Sequence, residues 1–146
     1  MTTFVGSQEL FLDAVNSLIE LDYDAVEAYE AAINRIDNPD YRSRLTEFKE
    51  DHQRHITELS ELVRQHGNTP ASGPSMKQWL TKGKVVLANI IGDKAILKAM
   101  LDNEQDTCAA YQAMSERSDQ WEDAKDLLKN GLRDEKKHKA WIEQFI

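Results

Sequence analysis

Helix-breaking residues are scarce in this chain and gathered into a few places; between them the apolar residues recur at steps of three and four. From Ser7, which has the chemistry of a helix N-cap, Phe11, Val15, Leu18, Ala25, Tyr29, Ala32 and Ile36 fall on one stripe, with Asp22 among them. "DNPD" stops that run, because a residue before proline is pushed out of the helical region while proline itself suits a first helical turn. A second run carries Tyr41, Leu45, Phe48, His52, His55, Leu59 and Leu62 and ends at Gly67, a natural residue just past a helix C-terminus. "GNTPASGPS" then reads as a linker. After it, "MKQWLTKGKVVLANIIG" reads as a shorter helix, with Trp79, Val86, Leu87, Ile90 and Ile91 on its buried side and lysines on a solvated face. A third long run from about Asp93 carries Leu97, Met100, Glu104, Cys108, Tyr111 and Met114. "RSD" turns the chain into a fourth, with Trp121, Ala124, Leu128, Gly131, Glu135, His138, Ile142 and Phe145. Short turns within each pair and a long middle connection predict an all-α four-helix bundle, with one crossover carrying a short extra helix. A chain of 146 residues supports one core, so residues 1–146 are expected to form a single domain.

The net charge of −8 argues against nucleic acid or an anionic membrane as partner, since both attract basic surfaces. Apolar runs are far too short for a membrane span, and "MTTFVGSQEL" lacks the basic and apolar regions of a signal peptide. The single cysteine, Cys108, cannot form an internal disulfide and is expected to be a small buried hydrophobe. The expected location is the cytoplasm. Neither a glycine-rich nucleophile elbow nor a phosphate loop is present, so nucleophilic catalysis has no support.

An internal repeat carries the chemistry. Asp22 and Tyr29 recur as Glu104 and Tyr111, 82 residues on; His52 and His55 recur as Glu135 and His138, 83 residues on. All of these lie on apolar stripes, where unpaired carboxylates are costly. In each hairpin the carboxylate of the first helix and the i, i+3 pair of the second are equidistant from the turn. They therefore sit at one level, roughly 25 Å along from it at about 1.5 Å per residue. Asp22, His52, His55, Glu104, Glu135 and His138 thus converge in the core. Two readings fit. Oxygen and imidazole ligands on shared helix faces suit a divalent transition metal. A metal-free buried network pairing Asp22 with His55 and Glu104 with His138 is the rival, within a helical interaction module. The repetition at matched heights favours the metal. Tyr29 and Tyr111 read as core packing or as hydrogen-bond partners behind the ligands.

This layout resembles the ferritin-like superfamily, rubrerythrins and bacterioferritins among them, in which a Glu from each of two helices and Glu-x-x-His from the other two hold two metal ions. Glu104, Glu135, His138 and His55 match that pattern, and "EQDTCAAY" keeps a tyrosine seven residues after the glutamate. The short crossover helix looks most like bacterial ferritin-like bundles of unassigned function. Asp22 stands where the pattern has Glu, and His52 replaces the Glu of the first Glu-x-x-His. Three carboxylates remain of the usual four, which weakens the case for two metals. Asp24, Asp51 and Asp106 are off the stripe. The resemblance implies a metal-binding protein in an iron-linked redox or stress role. Its cofactor would be iron, as a di-iron or mononuclear centre, with manganese or zinc as alternatives. It also implies oxidation of Fe²⁺ or reduction of oxygen or peroxide if the protein is an enzyme, and a homodimer or larger homo-oligomer. An external electron donor would be needed, because no Cys-x-x-Cys pairs supply a rubredoxin-like domain.

Overall fold

The computed structural model describes residues 5–74 and 90–146. Helices α1 (Phe11–Arg35), α2 (Pro39–Gln65), α3 (Asp93–Ser115) and α4 (Lys125–Glu143) form the bundle, with a 3-10 turn at Glu122–Ala124 ahead of α4. There is no strand among the described residues. Trp79, Val86 and Leu87 of the expected crossover helix lie outside them. Ile90 and Ile91, at its end, are not helical, and Ile91 is 92% exposed rather than buried.

The turns follow the sequence chemistry. Ile36 leaves α1 with extended backbone, and Asn38 caps α2 by accepting from the N–H groups of Asp40 and Tyr41, with Pro39 in the first turn. Gly67, at φ +77, closes α2 in the left-handed region that a side chain would disfavour. Ser7 does not cap α1, which begins at Phe11 without a side-chain cap. That end is tied down from elsewhere: the Arg117 guanidinium donates to the carbonyls of Gly6, Gln8 and Glu9.

End contacts fix the topology. Asp93, opening α3, accepts from the backbone of Asp37 and Asn38 at the α1–α2 turn, while Gly6 sits against Ala113 near the end of α3. His66, after α2, meets Asp123, before α4. So α1 runs antiparallel to both α2 and α3, and α4 antiparallel to both α3 and α2. α2 and α3 are parallel and diagonal, which is what a connection crossing the bundle produces.

The core is split in two. One apolar cluster gathers Phe11, Leu18, Leu59, Met114 and Leu128; the other gathers Tyr29, Ile36, Phe48, Leu97, Met100 and Ile142. Each fully buried Leu, Ile or Phe contributes about 1.5–3 kcal/mol. These clusters hold between them a layer of buried polar side chains whose desolvation they offset.

Candidate metal centre

That layer contains all six expected residues. Asp22 comes from α1, His52 and His55 from α2, Glu104 from α3, and Glu135 and His138 from α4; none is more than 5% exposed. They form two groups that share His52 and Glu135: Asp22, His52, His55 and Glu135, and His52, Glu104, Glu135 and His138. Within each group one donor atom per residue lies within 4.8 Å of every other. The sharing follows from position, because the first residue of each i, i+3 pair sits between the two halves.

His52 spans the two groups. Its Nδ1 is 2.8 Å from Asp22 Oδ1, and its Nε2 is 3.4 Å from Glu104 Oε1. The other two histidines are held from outside. His55 Nε2 lies 2.9 Å from Asp134 Oδ2, and His138 Nε2 lies 2.8 Å from Asp51 Oδ2. An imidazole that donates Nε2–H to a carboxylate presents its Nδ1 lone pair on the other side. Both Nδ1 atoms face inward, are buried, and have no hydrogen-bond partner; neither has Glu135 Oε1. The nearest carboxylate oxygens stand off at 3.5 Å (Asp22) and 3.4 Å (Glu135) from His55 Nδ1. From His138 Nδ1 they stand at 3.4 Å (Glu104) and 3.5 Å (Glu135). The Asp22–His55 and Glu104–His138 pairs of the metal-free reading are therefore close in space without being hydrogen bonded.

The tyrosines cross over. Tyr111, on α3, donates to Asp22 Oδ2 on α1 at 2.7 Å, and Tyr29, on α1, donates to Glu104 Oε1 on α3. Burial first, and then the facing carboxylate, raises both phenols well above their ordinary range, so both stay protonated donors. The Thr107 hydroxyl reaches Glu135 Oε2 at 2.9 Å. Aromatic packing fixes the imidazoles further: Phe48 stacks on His138 with centroids 4.3 Å apart.

Charge balances inside the layer. Burial alone would lower the three histidines, but the carboxylates around them outweigh it. His52 is raised to about 9, with Glu135 the leading carboxylate. His138 is raised to about 11 by Asp51, Glu104 and Glu135. His55 is raised to about 12 by Asp134, Asp22 and Glu135. Against burial, the histidines in turn hold Asp22 low and Glu104 well below the carboxylate range. Without a cation in the centre, protons on the imidazoles supply the positive charge.

Asp51 and Asp134 lie outside the expected set of site residues, Asp51 because it is off the apolar stripe. The signal was one residue away. "DHQRH" and "DEKKH" both begin with Asp, so the repeat is Asp-[His/Glu]-x-x-His, and each Asp holds the histidine of the opposite helix. Asp24 and Asp106 are buried but belong to neither group. Cys108 is half-buried rather than buried, and burial, then Glu104 and Glu135, pushes its thiol up to about 12, far from a reactive thiolate. No described helix is long and apolar enough to cross a membrane.

Residues 11–117 match the family described as a domain of unknown function, DUF2383. No curated protein matches the chain. Among solved structures, the chain is similar to a dodecameric thioferritin, the bacterioferritin-related protein from Bacteroides fragilis. Identity is 14% and the TM-score 0.76, over 92% of this chain and 83% of that one. A conserved hypothetical protein, rv2844, from Mycobacterium tuberculosis is similar at 10% identity and a TM-score of 0.76, over 95% of this chain and 99% of that one. At such identities the likeness speaks for the fold. The chain belongs to the DUF2383 family, and its fold is that of a ferritin-like helical bundle.

Proposed function

We propose that the protein binds a divalent transition metal in the bundle core, iron foremost and manganese or zinc as alternatives, and serves an iron-linked redox or stress role in the cytoplasm. The ligands would be Asp22, His52, His55, Glu104, Glu135 and His138. One observation carries this reading: three buried ligand atoms, His55 Nδ1, His138 Nδ1 and Glu135 Oε1, have no hydrogen-bond partner, while the far nitrogen of each of these two histidines is fixed by an aspartate. Leaving buried polar atoms unpaired is costly, and a ligating histidine held by a carboxylate is the usual arrangement around a metal. Bound there, iron would supply one-electron chemistry toward oxygen or peroxide, with electrons from an external donor. The chain's own contribution is to exclude water between two apolar clusters, to aim the ligands, and to keep Tyr29 and Tyr111 as donors to Glu104 and Asp22. The dodecameric state of the similar thioferritin makes a homo-oligomer the expected form here.

Protein purified without chelators should contain close to stoichiometric metal by elemental analysis, and the double variant His55→Ala with His138→Ala should lose it while remaining helical. Metal-free wild-type protein that also fails to take up Fe²⁺, Mn²⁺ or Zn²⁺ would favour the helical interaction module with a metal-free polar network.

A further inference from the structure

Nothing so far accounts for how an ion reaches a centre sealed by apolar clusters at both ends. His55 is the most exposed of the six residues, at 5%, and it lines a cleft of about 310 Å³ between α2 and α4. Its polar wall is completed by Arg54, Glu58, Asn130, Asp134 and a second cation, Arg133, with Leu127 and Gly131 between them. At Gly131 the missing side chain lets the Tyr111 ring pack against the helix backbone, so that ring forms the inner end of the cleft beside His55.

Across the mouth lies Arg54. Its guanidinium meets Asp51 at 3.0 Å and Glu58 at 3.3 Å on its own helix, and Asp134 across the seam on α4. Asp51 and Asp134 are the two carboxylates that hold His138 and His55. So the half-exposed Arg54 bridges the two cleft carboxylates, Glu58 and Asp134, that lead to the ligand His55, and also reaches Asp51, which Lys137 meets as well at 3.3 Å. Arg54 is the chain's own occupant of positions a divalent cation would seek first. Pairs this exposed are individually weak and exchange readily.

We propose that the α2/α4 cleft is the route by which the metal ion reaches and leaves the centre, and that Arg54 is its latch. The inference rests on the metal reading above. An arriving cation competes with the guanidinium for Glu58 and Asp134, and the arginine swings toward solvent. The ion then passes His55 into the layer, and the arginine returns. With Arg54 in place its positive charge stands across the outward path of the ion, so the latch also slows loss of the ion.

The test uses the full-length metal-free protein and Co²⁺ as probe, followed by its visible absorption during uptake and during removal by a chelator. Arg54→Ala should speed both uptake and release about five- to tenfold, the scale set by releasing a small network of exposed ion pairs. Wild-type release should quicken as salt screens the latch, and release from Arg54→Ala should depend on salt less steeply, with Arg133 and Lys137 still in place. Asn130→Trp, on the exposed wall of the cleft, should slow both rates. Release that quickens in Arg54→Ala while uptake stays at the wild-type rate would make Arg54 a mere support for its aspartates and overturn the latch. Wild-type rates in both variants would overturn the route and the latch and leave the metal reading standing. A wild-type protein that takes up no Co²⁺ would overturn the metal reading and the latch together.

Discussion

His52 is the residue at which this centre differs most from the layout it resembles. Its two nitrogens face Asp22 and Glu104, and its Nδ1 is 3.5 Å from Glu135 Oε1, so it meets all three carboxylates of the two groups. As an imidazolium it supplies one of the positive charges that offset them without a metal; as a neutral ring it offers a lone pair to one group and an N–H to the other. His52→Glu converts that compensation into a fourth buried carboxylate. Without metal, like charges held this close resist joint ionisation, so the melting temperature at neutral pH should fall. With metal, the added charge should draw a second ion, and metal per chain should rise toward two. Binding only the folded state, the ions should then raise the melting temperature more in the variant than in the wild type. Elemental analysis and calorimetry with and without Fe²⁺ read both signs. Unchanged metal content together with lower stability would leave His52 a structural cation and sink the two-metal form of the proposal.

At the scale of helices, the centre depends on seams that no single stripe describes. Asp51 belongs to α2 but serves His138 on α4, and Asp134 belongs to α4 but serves His55 on α2. Asp51→Asn or Asp134→Asn keeps the shape and removes the charge that fixes the imidazole. Each should weaken metal affinity about 10- to 100-fold, read by competition with a chelator of known affinity, with helicity unchanged. Gly131 tests packing at the α3/α4 seam. A Cβ there would lie 2.3 Å from the Tyr111 ring, which cannot swing aside without leaving Asp22. Gly131→Ala gains about 1 kcal/mol of helix propensity. Overpacking costs typically about 1–3 kcal/mol, so the net change in urea unfolding should be destabilising. The stripes themselves were readable because period 3.6 leaves a trace in one helix at a time. The six core polar residues were readable because they interrupt that trace. The Gly131 cradle and the crossed tyrosines were not, because each depends on which helix lies opposite; the aspartates stand in the repeat, but the histidine each one holds is on the opposite helix. Tyr29 reaches Glu104 only because α1 and α3 are antiparallel neighbours. That pairing comes from the crossover, not from any local pattern. Ser7 failed as a cap for the converse reason: three carbonyls of the N-terminal segment are claimed by Arg117, a tertiary contact that overrides a local preference.

For the whole molecule, the internal two-fold repeat sets a balance of charge that should govern stability against pH. Each half contributes one outer aspartate and one carboxylate from its first helix. The i, i+3 pairs add two histidines in one half and a glutamate and a histidine in the other. In the metal-free protein the histidines are raised, His52 least, to about 9. A histidine whose folded value is raised contributes stability fully below its ordinary value of about 6.5, and that stability is lost as pH climbs through the folded value. Asp22, Glu104, Asp51 and Asp134 are lowered by their histidine partners against burial, so their contribution is present above the ordinary carboxylate range and lost on acidification. The metal-free protein should therefore be most stable near pH 5–6.5, roughly, and should weaken between about 6.5 and 9. A bound metal replaces the imidazole protons, so the dependence reverses for the loaded protein. Occupancy should fall from about pH 7 to 5 and continue to rise above 7, with protons released on uptake. Denaturation of both forms at pH 6 and pH 9, with proton release followed in buffers of different ionisation enthalpy, measures this. Stability curves of the two forms that run parallel across that range would show that no imidazole exchanges its proton for a metal, and the centre would be a network of buried ion pairs.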